Sequence, residues 1–146
     1  MNLQPITDNE FESIFIVVKR AIFEHVDAIW GWDDNYQIER LQTSYESNWF
    51  HWLYYSNQRI GLICYKRYED SFHVHFLIVF PEYQRQGYGQ QAMNLIHHQA
   101  INEQRRSVTL SSFIRNEKAL EFYSKLGYQI KNREEHFVSM VWTTAL

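Results

Sequence analysis

A chain of 146 residues, 45% apolar and 17% aromatic, has the size and composition of one globular domain, expected over residues 1–146, and not of a disordered segment. A net charge of −3 without any basic block argues against nucleic acid as the main partner. A lone cysteine, Cys64, excludes an internal disulfide framework, and with no signal pattern at Met1–Pro5 and no apolar run of membrane-spanning length, a cytoplasmic setting is the default expectation, with no membrane partner.

Residues 2–6 read as a short first strand. Thr7 and Asp8 then offer cap oxygens to a helix. From Phe11 on, Phe11, Ile14, Phe15, Val18, Ile22, Val26 and Ile29 recur at helical spacing, which predicts a long amphipathic helix ending near Gly31. Asp33 or Asp34 can cap a second helix through Tyr36, Ile38 and Leu41. The aromatic-rich stretch 49–55 predicts a strand, 56–59 a tight turn, and 60–65 the returning strand of a hairpin. After a polar turn at 68–70, residues 72–79 predict another strand.

A helix is predicted after Gly87, with Tyr88, Ala92, Leu95, Ile96 and Ala100 inward and Gln91, Asn94 and His98 outward. A short strand follows at 108–110. Asn116 caps a last helix burying Ala119, Leu120, Tyr123 and Leu126, with Gly127 just past its end. Strands near 128–130 and 137–142 close the chain. The order is β-α-α-β-β-β-α-β-α-β-β, an α/β class with a mixed (α+β) sheet. The unit from Phe76 to Leu110 implies a parallel strand pair with a right-handed crossover. The strand 137–142 is a candidate sheet edge, and its pairing with a second copy would give a homodimer.

The junction between strand 72–79 and the helix after Gly87 carries the most information. Phe76-Leu77-Ile78-Val79 runs into Pro81-Glu82-Tyr83-Gln84-Arg85-Gln86-Gly87-Tyr88-Gly89. Strand, glycine-bearing loop and helix start together form a phosphate cradle. Glycine amides approach an anion closely, the first-turn N–H groups point at it, and Arg85 adds a forked cation. The order Gln-Arg-x-Gly-x-Gly is neither a phosphate-loop nucleotidase motif nor a dinucleotide fingerprint. It resembles the acetyl-coenzyme A loop of the GNAT acetyltransferase superfamily. A second stretch, Asn116-Glu117-Lys118-Ala119-Leu120-Glu121-Phe122-Tyr123-Ser124-Lys125-Leu126-Gly127-Tyr128, resembles that family's later helix. The two motifs cover roughly the second half of the chain; the first half agrees only in its order of elements. Gln86 departs from the pattern, since many members carry Gly there.

The resemblance implies a GNAT-like fold and an N-acetyltransferase using acetyl-coenzyme A as co-substrate, with no metal. It places the coenzyme pyrophosphate on the loop and helix start, from Gln84, Arg85, Gln86, Gly87 and Tyr88 to Gly89 and Gln90. It lays the pantetheine arm along the backbone at Ile78 and Val79, where the Val79 N–H would polarise the thioester carbonyl. Asn116 is expected to contact the coenzyme besides capping its helix. Tyr123 is expected as the general acid for the leaving thiolate, against the plainer role of packing on its helix's apolar face.

The base is open. Many members place a Glu on this strand; here the nearest position holds His73, and His75 shares its face. The two are either a proton-accepting pair or solvent-facing histidines on a half-exposed strand. They lack the companions that a metal site would need. Trp30, Trp32 and Asp33, at the junction of the first two helices, combine aromatic faces with carboxylate and are candidates for a cationic amine acceptor. Their plainer roles are helix packing and capping. Cys64 in a strand reads as an inert buried thiol, so direct transfer in a ternary complex is expected. The acceptor class is a small or amino-acid-like primary amine, a protein amine being the alternative. A non-catalytic acyl-coenzyme A-binding module is the rival of another class.

Overall fold

The computed structural model describes residues 1–145. The elements are β1 (Asn2–Pro5), α1 (Phe11–Trp30), α2 (Asp34–Ser44), β2 (Phe50–Tyr55), β3 (Gln58–Arg67), β4 (Ser71–Val79), α3 (Tyr88–Asn102), β5 (Ser107–Phe113), α4 (Glu117–Lys125), β6 (Gln129–Arg133) and β7 (Phe137–Thr143). One-turn 3-10 segments at Ser47–Trp49 and Pro81–Tyr83 join β2 and follow β4. The order of helices and strands is the one the periodicities predict. The strands form one seven-stranded sheet in the order β1-β2-β3-β4-β5-β7-β6. By its internal packing the chain divides into two units: Met1–Cys64 with Phe76–Gln86, and Tyr65–His75 with Gly87 onward.

In the first unit, α1 and α2 cover a hairpin. Ile14 and Val18 of α1 and Leu41 of α2 are buried with Phe50 and Trp52 of β2 and Leu62 and Cys64 of β3. Phe76, Ile78 and Phe80 pack against this cluster and so fix the end of β4. The hairpin turn is tighter than the four residues expected. Ser56 and Asn57 alone make it, with φ of 48° and 64°, the two-residue geometry whose twist suits a hairpin. The start of α1 also differs from the expectation. Its cap is Glu10, not Thr7 or Asp8. The Glu10 carboxylate accepts the Thr7 N–H at 2.7 Å, the Trp52 indole N–H at 3.0 Å and an Arg59 N–H at 3.4 Å. A buried indole needs an acceptor, and Glu10 supplies it.

β3 and β4 approach unusually closely at one point. A Cβ added to Gly61 would lie 2.2 Å from the Ile78 carbonyl oxygen, so only glycine fits there. The Phe80 N–H donates to the Ile60 carbonyl at 2.9 Å and continues that contact beyond the strand.

In the second unit β4 and β5 are parallel, from Ser71 opposite Ser107 to Val74 opposite Leu110, as the crossover predicts. β4 itself continues past these pairs to Val79. β5 is longer than the three residues expected, because it also pairs with β7 over its whole length, Ser107 opposite Thr143 through Phe113 opposite Phe137. That pairing corrects the edge assignment: β7 lies between β5 and β6, so strand 137–142 is not available for a second copy. The outer strand at that end of the sheet is β6, exposed throughout and bearing Lys131 and Arg133, residues that discourage edge pairing. On α3 the buried positions are Ala92, Met93, Ile96, His97 and Ala100. The expected face omitted Met93 and His97, one step round the helix.

Candidate active site

The loop after β4 is held by its own side chains. The Gln84 side-chain amide donates to the Val79 carbonyl at 2.9 Å, and the Gln86 amide to the Glu82 carbonyl at 3.5 Å. Arg85 is exposed with φ 64°, a left-handed backbone that a non-glycine residue adopts at a cost. At the start of α3, Gly87 is the cap, also left-handed at φ 82°, and no side chain caps the helix among the described residues. The first intrahelical bond runs from the Gln91 N–H to the Gly87 carbonyl at 3.1 Å. The turn ahead of it directs N–H groups, Gly89 and Gln90 included, out of the helix end, which is where an anion is received. No heavy atom lies within 4 Å of a Cβ built on Gly87, so the space before the turn is open.

Ile78 and Val79 close β4, half-buried; Ile78 is tied down by the Gly61 contact and the packing of Phe80. Further back on β4, His73 and His75 share a face, ring centroids 4.7 Å apart. His73 Nδ1 is 2.8 Å from the Thr109 hydroxyl, and that hydroxyl has the Phe72 carbonyl at 3.4 Å. A Thr109 proton directed at that carbonyl leaves the hydroxyl to accept from Nδ1–H. In that tautomer the lone pair of His73 sits on Nε2, the form a base requires. Burial holds the His73 imidazole below its ordinary pKa.

On α4, Asn116 caps the helix through its side chain, accepting the Ala119 N–H at 3.2 Å. Gly127, at φ 100°, follows the helix end as expected. Tyr123 is the buried residue of α4, its ring between Phe122 at 5.0 Å and Tyr128 at 5.5 Å. Burial raises its phenol pKa, so it stays protonated at neutral pH. Behind it is a group that the sequence did not disclose. His97 Nε2 meets the Tyr128 hydroxyl at 2.8 Å, and its ring stacks on Trp142 at 3.9 Å. Burial, with His98 as a lesser cause, lowers the His97 pKa to about 4. Its only sequence signal is helical spacing: His97 is four residues after Met93 and three before Ala100, both buried.

The residues expected for an amine acceptor are largely engaged within the first unit. Asp33 caps α2, accepting the Tyr36 N–H at 3.1 Å. Trp32 donates from its indole to Asp34 at 2.6 Å, and Lys19 takes both the Asp34 carboxylate at 2.8 Å and the ring face of Trp32 at 5.7 Å. Trp30 is exposed. Cys64 is fully buried, and burial raises its thiol pKa, as its strand position predicted. Among the described residues no group of three or more His, Cys, Asp or Glu could hold a metal ion. None of their helices is long and apolar enough to cross a membrane.

A mixed sheet of this strand order, with a glycine-capped helix after β4, is the fold of acyl-coenzyme A-dependent N-acetyltransferases. Solved structures bear out the fold. The PaiA N-acetyltransferase of Thermoplasma acidophilum, in complex with coenzyme A, superposes with a TM-score of 0.77 at 14% identity over 98% of each chain. An acetyltransferase of Thermus thermophilus gives 0.75 at 16% identity over 98% of this chain and 96% of its own. The ribosomal-protein-S18-alanine N-acetyltransferase of Escherichia coli gives 0.68 at 13% identity over 99% and 94%. No curated protein matches by sequence. The model of the Acetyltransferase (GNAT) family matches residues 18–128, and the chain belongs to that family of acyltransferases.

Proposed function

We propose that the chain transfers an acetyl group from acetyl-coenzyme A to the primary amine of a small, amino-acid-like acceptor, directly, within a ternary complex. The observation that carries this reading is the start of α3. Gly87 caps it in a left-handed turn without a side-chain cap, its approach is open, and Arg85 precedes it. Such a turn suits the pyrophosphate of the coenzyme, with Gln84 and Gln86 shaping the loop and the amides through Gln90 as donors. The pantetheine arm would extend beside Ile78 and Val79, where β4 runs on past its pairs with β5.

The chemistry then follows from named groups. The acceptor ammonium loses a proton to His73 Nε2, directly or through His75 or a water. The amine lone pair attacks the thioester carbon, and the negative oxygen is received by the Val79 N–H. Collapse breaks the carbon–sulfur bond, the thiolate takes its proton from Tyr123, which burial keeps protonated, and the second proton shed by the new amide nitrogen returns to the Tyr123 phenolate. Asn116, at the head of α4, would contact the coenzyme besides capping its helix. The acceptor class rests on this amine chemistry and not on a cation site at the α1–α2 junction, because Lys19 already occupies the Trp32 face and the Asp34 carboxylate.

The test is mass spectrometry of products after incubation with acetyl-coenzyme A and a panel of amino acids, diamines and peptide N-termini. A small acetylated amine is expected. Tyr123→Phe should lower kcat by about 100-fold with the coenzyme affinity unchanged. Coenzyme binding without any acetylated amine would instead favour a non-catalytic module, and acetylation confined to peptides would move the acceptor class to proteins.

A further inference from the structure

Helix α1 carries a second apolar stripe besides the one it buries. Ile14, Val18 and Val26 face the core, whereas Ile16, Phe23 and Trp30 are 58%, 40% and 58% exposed. These three recur every seven residues, so an α-helix stacks them on one line roughly 21 Å long. Single exposed apolar residues are ordinary, but three in register at a heptad interval form a seam. Phe23 is steadied from behind by the Trp32 ring at 5.3 Å. Such a line exceeds what a small amine could cover. A lipid surface is disfavoured too, because α1 has acidic Glu12, Glu24 and Asp27 beside Lys19 and Arg20, not the basic polar face of an interfacial helix.

The charges along the seam point to the occupant. Arg20 and Asp27 are both exposed and lie on the same flank, one before Phe23 and the other after it. Read in reverse, basic meets acidic, so the seam complements its own antiparallel copy. Like flanks face one another in an antiparallel helix pair. Lys19, on the other flank, is already paired with Asp34.

We propose that α1 pairs antiparallel with α1 of a second copy about a two-fold axis at Phe23. Ile16 then packs against Trp30 of the other chain, the two Phe23 rings meet on the axis, and Arg20 ion-pairs with Asp27 of the other chain twice by symmetry. The contact is self-complementary and closes at two copies. It also assigns Trp30 to the interface instead of to the acceptor.

Sedimentation equilibrium of the full chain tests this. At about 100 μM the wild type should sediment at twice 17.8 kDa. Arg20→Asp alone, Asp27→Arg alone, and Phe23→Glu should each sediment at 17.8 kDa. Mixing the two charge variants pairs an all-acidic flank with an all-basic one and recreates both ion pairs, and the double variant recreates them with signs exchanged, so the mixture and the double variant should each return to the doubled mass. One Asp27 oxygen also accepts the Trp32 N–H, so this rescue separates a lost ion pair from a disturbed helix end. A wild type that stays at the single-chain mass, a dimer that survives Phe23→Glu, or a double variant that stays monomeric would overturn the proposal.

Discussion

Two histidines behave differently with pH, and the direction follows from their surroundings. His73 is held below its ordinary pKa by burial, so it stays neutral, and competent as a base, further into acid. The acidic limb of kcat/KM should therefore fall below pH 6.5, the ordinary value, and should be abolished or displaced in His73→Ala. A limb unmoved by both His73→Ala and His75→Ala would remove the pair from proton transfer. His97 acts on stability. It titrates near 4 when folded and near 6.5 when unfolded, so the unfolded chain binds the proton first as acid is added. Its contribution is complete above about pH 6.5 and is lost as pH falls toward 4, on the order of 2–3 kcal/mol. Denaturant unfolding at a series of pH values should show this slope, and His97→Gln, which can still accept from Tyr128, should flatten it. A slope unchanged by His97→Gln would assign it to other groups.

The elements were legible where one physical requirement dominated. α1 declared itself through seven apolar positions at helical spacing, and α4 through Asn116 at its head and Gly127 past its end. Misreadings arose where a distant partner decided. Glu10 heads α1 while its carboxylate serves Trp52, forty-two positions away, a bond that no local pattern announces. β5 is long because β7 pairs with all of it, which no local pattern within Ser107–Phe113 announces. Gly61 is the sharpest case. It sits in the middle of β3 as an unremarkable glycine, yet the Ile78 carbonyl fills the place of its Cβ. Gly61→Ala should cost about 2–4 kcal/mol in thermal or chemical unfolding, because a backbone oxygen and not a flexible side chain must move. It should also weaken acetyl-coenzyme A binding, since Ile78 and Val79 move with it. An unchanged melting temperature would contradict the close approach.

For the molecule as a whole, ligand linkage is the most direct measurement. A coenzyme that binds only the folded chain adds about 2.7 kcal/mol at one hundred times its Kd. Melting temperature should accordingly rise by roughly 5–10 °C with saturating acetyl-coenzyme A. ATP at the same concentration should produce little shift, and Gly87→Asp, which sets a negative charge in the open space before α3, should abolish the coenzyme effect. An equal rise with ATP would point to a general nucleotide site. The fold could be read from the sequence because its elements are local patterns in a fixed order. The acceptor could not, because Trp32 and Asp33 offered an inviting cation site that Lys19 and the α2 cap had already taken.

Cys64 has a practical consequence. It is the chain's single sulfhydryl, it is sealed in the interior, and its ionisation is suppressed. In the proposed transfer each turnover liberates one coenzyme sulfhydryl into solution. A disulfide dye that reacts with such groups would thus leave the catalyst untouched, and the absorbance it develops would count product alone, continuously and against a silent background.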